Sequence, residues 1–167
     1  MVFKFRLLNP PVSLDLGEIS KARAREAAIE AELAEEFLKR GLYRNAAGKA
    51  FQAWKAYLSY LASGSKDLLA GVFKGRKRLR NGKAVDYVDL VIAVMPTGLM
   101  KAVAQILATR HGDEVAYYTE LAIDLHEYQY NGPDPLGLLS RYINDEVARV
   151  DVEKLVKYLK EKVKLSN

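Results

Sequence analysis

Apolar residues recur at three- and four-residue spacing through most of this 167-residue chain. That spacing is the period of the α-helix, and it limits the fold more than any other feature of the sequence. Ile29, Leu33 and Phe37, with Ala22 and Ile19 upstream, make one such stripe. Val115, Tyr118, Ala122 and Leu125 make a second, and Val152, Leu155, Leu159 and Val163 a third. Residues 85–95 are rich in Val and Ile and would suit a buried strand, but no second convincing strand accompanies them. They read as a short buried helix that ends at Pro96. The chain is therefore expected to be all-α, a compact five- or six-helix bundle, in one domain over residues 1–167.

Residues 1–17 contain Asn9-Pro10-Pro11 and Gly17 and show no helical period, so they read as an extended arm that docks on the body. A first helix is expected over residues 18–40, with Glu35–Lys39 and Glu36–Arg40 as favourable i,i+4 pairs and Gly41 as its stop. A second covers residues 43–62. Its inward side begins with Ala46, Ala50 and Ala53 and continues with Trp54, Tyr57, Leu58 and Leu61. Small residues early and large ones late suit close approach to the first helix at one end. Residues 66–75 have room for a short amphipathic turn. A helix over residues 97–109 turns Leu99, Val103, Ile106 and Leu107 inward, and Asp113 caps the next, which runs to about Tyr130. Asp134-Pro135 reads as a cap followed by proline at the first helical position, opening a helix with Leu139, Ile143 and Val147. Asp151 is read as the cap of the last helix.

The net charge of +5 is concentrated in one place. Lys74, Arg76, Lys77, Arg78, Arg80 and Lys83 fall within ten residues that contain no acid. The rest of the chain holds 20 basic and 21 acidic residues. Residues 74–83, with the turn dipeptide Asn81-Gly82, therefore read as a basic loop able to attract the phosphates of RNA or DNA by counterion release. The competing reading is a solvated connector. Only Phe73 and Tyr87 flank the run, so the signal for base stacking is weak. The absence of cysteine excludes disulfides, zinc knuckles and thiol catalysis, and fits a cytoplasmic protein. No stretch reads as a membrane span or a signal peptide. Many Glu and Lys residues with only three Gln resemble a thermophile's composition.

A second candidate is the end of the fourth main helix. His126, Tyr128, Tyr130 and Asn131 could converge there on a ligand, with His126 suited to acid–base work. Ala122, His126 and Tyr130 also share one face, which suits a histidine at the rim of a core. Glu120, Asp124 and Glu127 share a face as well, but the Glu-x-x-His pattern of di-iron bundles is missing, and they read as a solvated acidic face. Arg110-His111 reads as cations complementing a helix C-terminus. There is no P-loop, Gly-x-Gly-x-x-Gly, Gly-x-Ser-x-Gly or His-Glu-x-x-His. No cofactor and no metal are implied, and no catalytic residue is assigned.

Ala-Phe-Gln-Ala-Trp-Lys-Ala over residues 50–56, Met95-Pro96-Thr97, and Leu-His-Glu-Tyr-Gln-Tyr-Asn-Gly over residues 125–132 together resemble the archaeal PaREP repetitive family, in its first subfamily. The likeness runs from the first helix to about Gly132. More loosely, the chain resembles the HEPN superfamily of helical bundles. These resemblances imply a HEPN-like all-α bundle, a thermophilic archaeal setting and a homodimer, with no established activity for the family. Many HEPN proteins cleave RNA through Arg-x(4–6)-His. Residues 119–121 and 104–106, at the matching distances before His126 and His111, contain no arginine. The leading expectation is a non-catalytic helical module, dimeric, that binds protein or nucleic acid through the basic loop. The alternative is a divergent HEPN-like ribonuclease or a nucleotide-binding protein using the His126 end, with Arg76 or Arg78 as the distant arginine.

Overall fold

The computed structural model describes residues 13–163. Residues 1–12 of the expected arm lie outside the described residues. Its end is corrected, because Gly17 is helical. Helix α1 spans Leu16–Lys39 and starts early because the Asp15 carboxylate accepts the Glu18 N–H at 3.1 Å. At its other end the Leu42 N–H reaches the Phe37 carbonyl and the Gly41 N–H the Leu38 carbonyl. This Schellman closure needs the left-handed backbone that Gly41 supplies at φ 70°.

The face that α1 buries is not the expected one. Ala27, Ala31 and Ala34 are buried, whereas Ile29 is 57% exposed and Leu33 38%. The reason lies in α2 (Tyr43–Ser63), which buries Ala46, Ala47, Ala50 and Ala53. Alanines on both helices let the two backbones approach closely, and side chains as large as Ile29 and Leu33 are left outside that seam. Helix α2 is the central element and packs against α1 and most of the later helices. Phe51, Trp54 and Leu58 are fully enclosed there.

A short helix α3 (Lys66–Ala70) follows, then strands β1 (Arg76–Arg78) and β2 (Ala84–Asp86). They form an antiparallel hairpin, the only sheet among the described residues. Helix α4 (Tyr87–Val94) confirms the helical reading of the apolar run, except that Val85 belongs to β2. Met95 ends α4 at φ 46° with its side chain fully buried, directly before Pro96. After a 3-10 turn at Thr97–Leu99 comes α5 (Met100–His111), set at 109° to α4. Helix α6 (Glu114–Asn131) has Asp113 at its N-cap position, although the Asp113 side chain makes no capping hydrogen bond.

The expected helix at Pro135 does not form. The Asp134 carboxylate accepts the N–H groups of Leu136, Leu138 and Leu139 at 3.0, 2.7 and 2.6 Å, which wraps the chain into a loop. Leu136, Leu138, Leu139 and Ile143 are consequently exposed. Helix α7 runs unbroken over Asp145–Val163. Asp151 is therefore inside a helix rather than at its cap, where it accepts the Tyr142 hydroxyl at 3.0 Å. Val152, Leu155, Leu159 and Val163 are buried as expected, while Val147 is exposed. The all-α expectation holds: α1, α2, α5, α6 and α7 form the bundle, and α3 and α4 join them. No single helix among the described residues is long and apolar enough to cross a membrane.

Candidate nucleic-acid interface

The basic segment is a hydrogen-bonded hairpin rather than a plain loop. Val85 is fully buried and fastens β2 to the body, and the Tyr87 N–H closes the base of the ribbon on the Gly75 carbonyl at 2.9 Å. Arg76, Lys77 and Arg78 pair with Asp86, Val85 and Ala84. At the tip the Leu79 N–H donates to the Lys83 carbonyl, the Gly82 N–H to the Leu79 carbonyl and the Lys83 N–H to the Asn81 side chain. Gly82 sits at φ 80°, the backbone the turn requires.

All six cations of the segment are exposed. Arg76 lies 3.7 Å from the Asp86 carboxylate, and the Lys77 ammonium stands 4.7 Å above the Tyr87 ring. Lys74, Arg78, Arg80 and Lys83 have no acidic partner within 4.0 Å and no ring contact among the described residues. In the body Lys49 pairs with Glu30, Lys66 with Asp89, Lys101 with Glu120, and Lys160 with Glu35, while Arg25, Lys39, Lys55 and Lys157 also lack an acidic partner within 4.0 Å among the described residues but lie scattered along the chain, not clustered. The hairpin is thus a positive projection on which four clustered cations have no acidic partner among the described residues.

The residues singled out at the end of α6 diverge. The His126 ring is half-buried, stacks on Phe51 at 4.0 Å between centroids and meets Tyr130 edge-on. Burial holds its pKa below the usual histidine value; the nearby Gln129 side chain opposes this shift and the Lys55 charge adds to it. Tyr128 is fully buried and donates to Asp145 at 2.5 Å; burial, reinforced by this hydrogen bond, pushes its phenol well up. Tyr130 is exposed, and the Asn131 amide donates to the Leu139 carbonyl at 2.7 Å. A cavity of about 260 Å³ opens beside Tyr43, Arg44, Tyr128 and Asp145, and Tyr128 alone of those four candidates lines it. That volume is below the usual range for drug-sized ligands. His126 packs in the first half of α2, whereas Arg76 and Arg78 follow its far end. About 18 Å of helix separates Phe51 from Ser63.

A family model of archaeal PaREP1/PaREP8 proteins matches residues 22–161. The chain belongs to this family. No curated protein and no solved structure matches it. The PaREP1/PaREP8 match runs past Gly132 and through most of α7, further than the resemblance read from the sequence, and it includes the hairpin, the His126 region and the leucine loop.

Several polar ties of this PaREP1/PaREP8 chain escaped the sequence reading. Arg110 grips Asp67 with two hydrogen bonds, of 2.9 and 2.6 Å, and His111 meets the buried Ser65 hydroxyl at 2.9 Å. Asp124 and Glu127 share Arg141, so the acidic face is partly neutralised. Arg44 donates to the carbonyls of Gln129 and Tyr130 and so satisfies the last turn of α6. Asp89, nearly buried, pairs with Lys66 at 2.6 Å. Only Asp89 carried a signal in the sequence: an acid inside an apolar run needs a cation near it. No group of three or more histidine, aspartate or glutamate side chains among the described residues is placed to hold a metal ion.

Proposed function

We propose that this PaREP1/PaREP8 protein is a non-catalytic helical module that binds nucleic acid through phosphate contacts from its basic hairpin. The observation that supports the reading is the clustering of Lys74, Arg78, Arg80 and Lys83, exposed and without an acidic partner among the described residues, on a hydrogen-bonded ribbon anchored by Val85. A cation already engaged by a carboxylate must break that contact to bind a phosphate; these four have nothing to give up. Arginine adds a planar fork that matches phosphate oxygens.

The test compares the native chain with Lys74, Arg78, Arg80 and Lys83 changed together to Gln. Fluorescence anisotropy with labelled DNA and RNA is read at two salt concentrations. Four phosphate contacts give log K a slope of about −3.6 against log salt on a duplex, and the variant is expected to lose most of that slope with most of its affinity. Changing only Arg76 and Lys77, whose charges are already engaged by Asp86 and the Tyr87 ring, is expected to weaken binding less. Native protein that binds neither nucleic acid, or a fourfold variant that binds as tightly as native, refutes the proposal.

A further inference from the structure

Resting on that reading, we infer that the hairpin's ligand is double-stranded nucleic acid, held through its backbone without sequence preference, and not a single strand. The decisive observation is the state of the aromatics next to the cations. Phe73 is 6% exposed and lies edge-on to Tyr87, with ring centroids 5.8 Å apart. Tyr87 is half-buried, and Lys77 covers its face. Residues 74–86 contain no aromatic side chain at all. The segment therefore presents no free ring on which an unpaired base could stack.

That absence separates the two ligand classes. Proteins that hold single strands combine a cationic track with aromatic platforms, and the stacking offsets the cost of ordering a flexible strand. Among the described residues the hairpin presents only the cationic track. A duplex needs no ordering. Its phosphates are already fixed, and it carries one charge per ~1.7 Å of axis against ~3.4 Å for one strand.

The ribbon's geometry points the same way. Paired residues share a side of the ribbon, so Lys77 lies on the side of buried Val85, toward the body. Arg76 and Arg78 occupy the opposite, outward side, roughly 7 Å apart at the strand's rise per residue. Arg80 and Lys83 extend the same charge around the tip. The cations are spread over a surface, not strung along a narrow groove lined for bases. A two-stranded ribbon is also narrow enough to enter the major groove of B-form DNA.

The experiment uses the native full-length chain with a blunt DNA duplex of mixed sequence and with each of its strands alone, at salt rising from about 50 to about 200 mM. With four contacts, the duplex affinity is expected to fall about 150-fold over that range and the single-strand affinity about 50-fold. At the lower salt the duplex is expected to bind several-fold more tightly than either strand, and a duplex of scrambled sequence to bind equally well. A strand that binds as tightly as the duplex, or a strong preference for one sequence, overturns this inference and leaves phosphate binding by the hairpin standing. No binding to any of these DNA probes overturns this inference, and if RNA in the first assay is not bound either, the proposed function falls with it.

Discussion

Replacing Thr119 by Val tests what holds the centre of the bundle together. The Trp54 indole N–H donates to the Thr119 hydroxyl at 2.8 Å, and that hydroxyl donates to the Val115 carbonyl one turn earlier. Both side chains are fully buried. Valine keeps the shape and the β-branch of threonine but accepts no hydrogen bond, so the indole N–H is left without a partner and without water. An unsatisfied buried donor costs about 1–3 kcal/mol. For a chain of this length a loss of about 2 kcal/mol lowers Tm by roughly 4–8 °C. Trp54 is the only tryptophan, so its emission during urea unfolding reports on this site. The midpoint is expected to fall with the slope unchanged. Thr119→Ser keeps the acceptor and loses one buried methyl, a cost of about 1 kcal/mol. A double-mutant cycle separates the hydrogen bond from the packing. In a Trp54→Phe background, followed by circular dichroism, there is no N–H to strand, and Thr119→Val is expected to cost little. A native-like midpoint for Thr119→Val, or an equal loss in both backgrounds, refutes the reasoning.

Two further outcomes follow from contacts elsewhere in the bundle. A Cβ on Gly48 would come within 2.5 Å of the Gln129 side-chain amide, which must swing aside, so Gly48→Ala is expected to gain less stability in the native chain than in a Gln129→Ala background, where the helix-interior preference for alanine contributes about 0.5–1 kcal/mol; equal shifts of the urea midpoint in both backgrounds contradict this. His111 and His126 both titrate below the usual 6.5, chiefly through burial, with the Arg110 charge adding at His111 and the Lys55 charge at His126. As pH falls through 6.5 the unfolded chain takes up protons that the folded chain refuses, so their stability contribution is whole above 6.5 and is lost below it. Changing both to Asn is expected to flatten the pH dependence of the urea midpoint between about 7.5 and 5.5, and an unchanged profile argues against the assignment.

The helical period located the long helices, yet it misjudged which way α1 faces. Reading the largest apolar residues as the buried ones selects Ile29, Leu33 and Phe37. Of these only Phe37 packs, half-buried, on the core; the structure otherwise uses Ala27, Ala31 and Ala34 against the alanines of α2. Close backbone approach gains contact from both helices at once, and no count of large side chains on a single helix reveals it. The segment after α6 failed for a different reason. Asp134-Pro135 is the same text whether the carboxylate caps a helix or gathers the N–H groups of a loop. Here Asp134 takes three of them, with Gly137 at φ 67° inside the loop. The leucines beyond it carry helical spacing without any helix to use it.

At the candidate site, the sequence located the positive charge and the turn but not the strands, because three cations in a row carry no strand pattern. Ion pairing was still less legible, since it joins residues far apart in the chain: Lys160 reaches Glu35, Arg110 reaches Asp67 and Lys101 reaches Glu120. That pairing is what gives the hairpin its character. The chain outside residues 74–83 carries 20 basic and 21 acidic residues, which could have neutralised the segment by folding onto it. Glu30, Glu35, Asp67, Asp89, Glu120, Asp124 and Glu127 are instead engaged by cations of the body. Drawing the hairpin onto any of them would strand one of those partners, and for the nearly buried Asp89 it would break a pair at 2.6 Å. The positive charge of Lys74, Arg78, Arg80 and Lys83 therefore stays in solvent while these seven acids hold cations of the body, and it is open to a polyanion from outside.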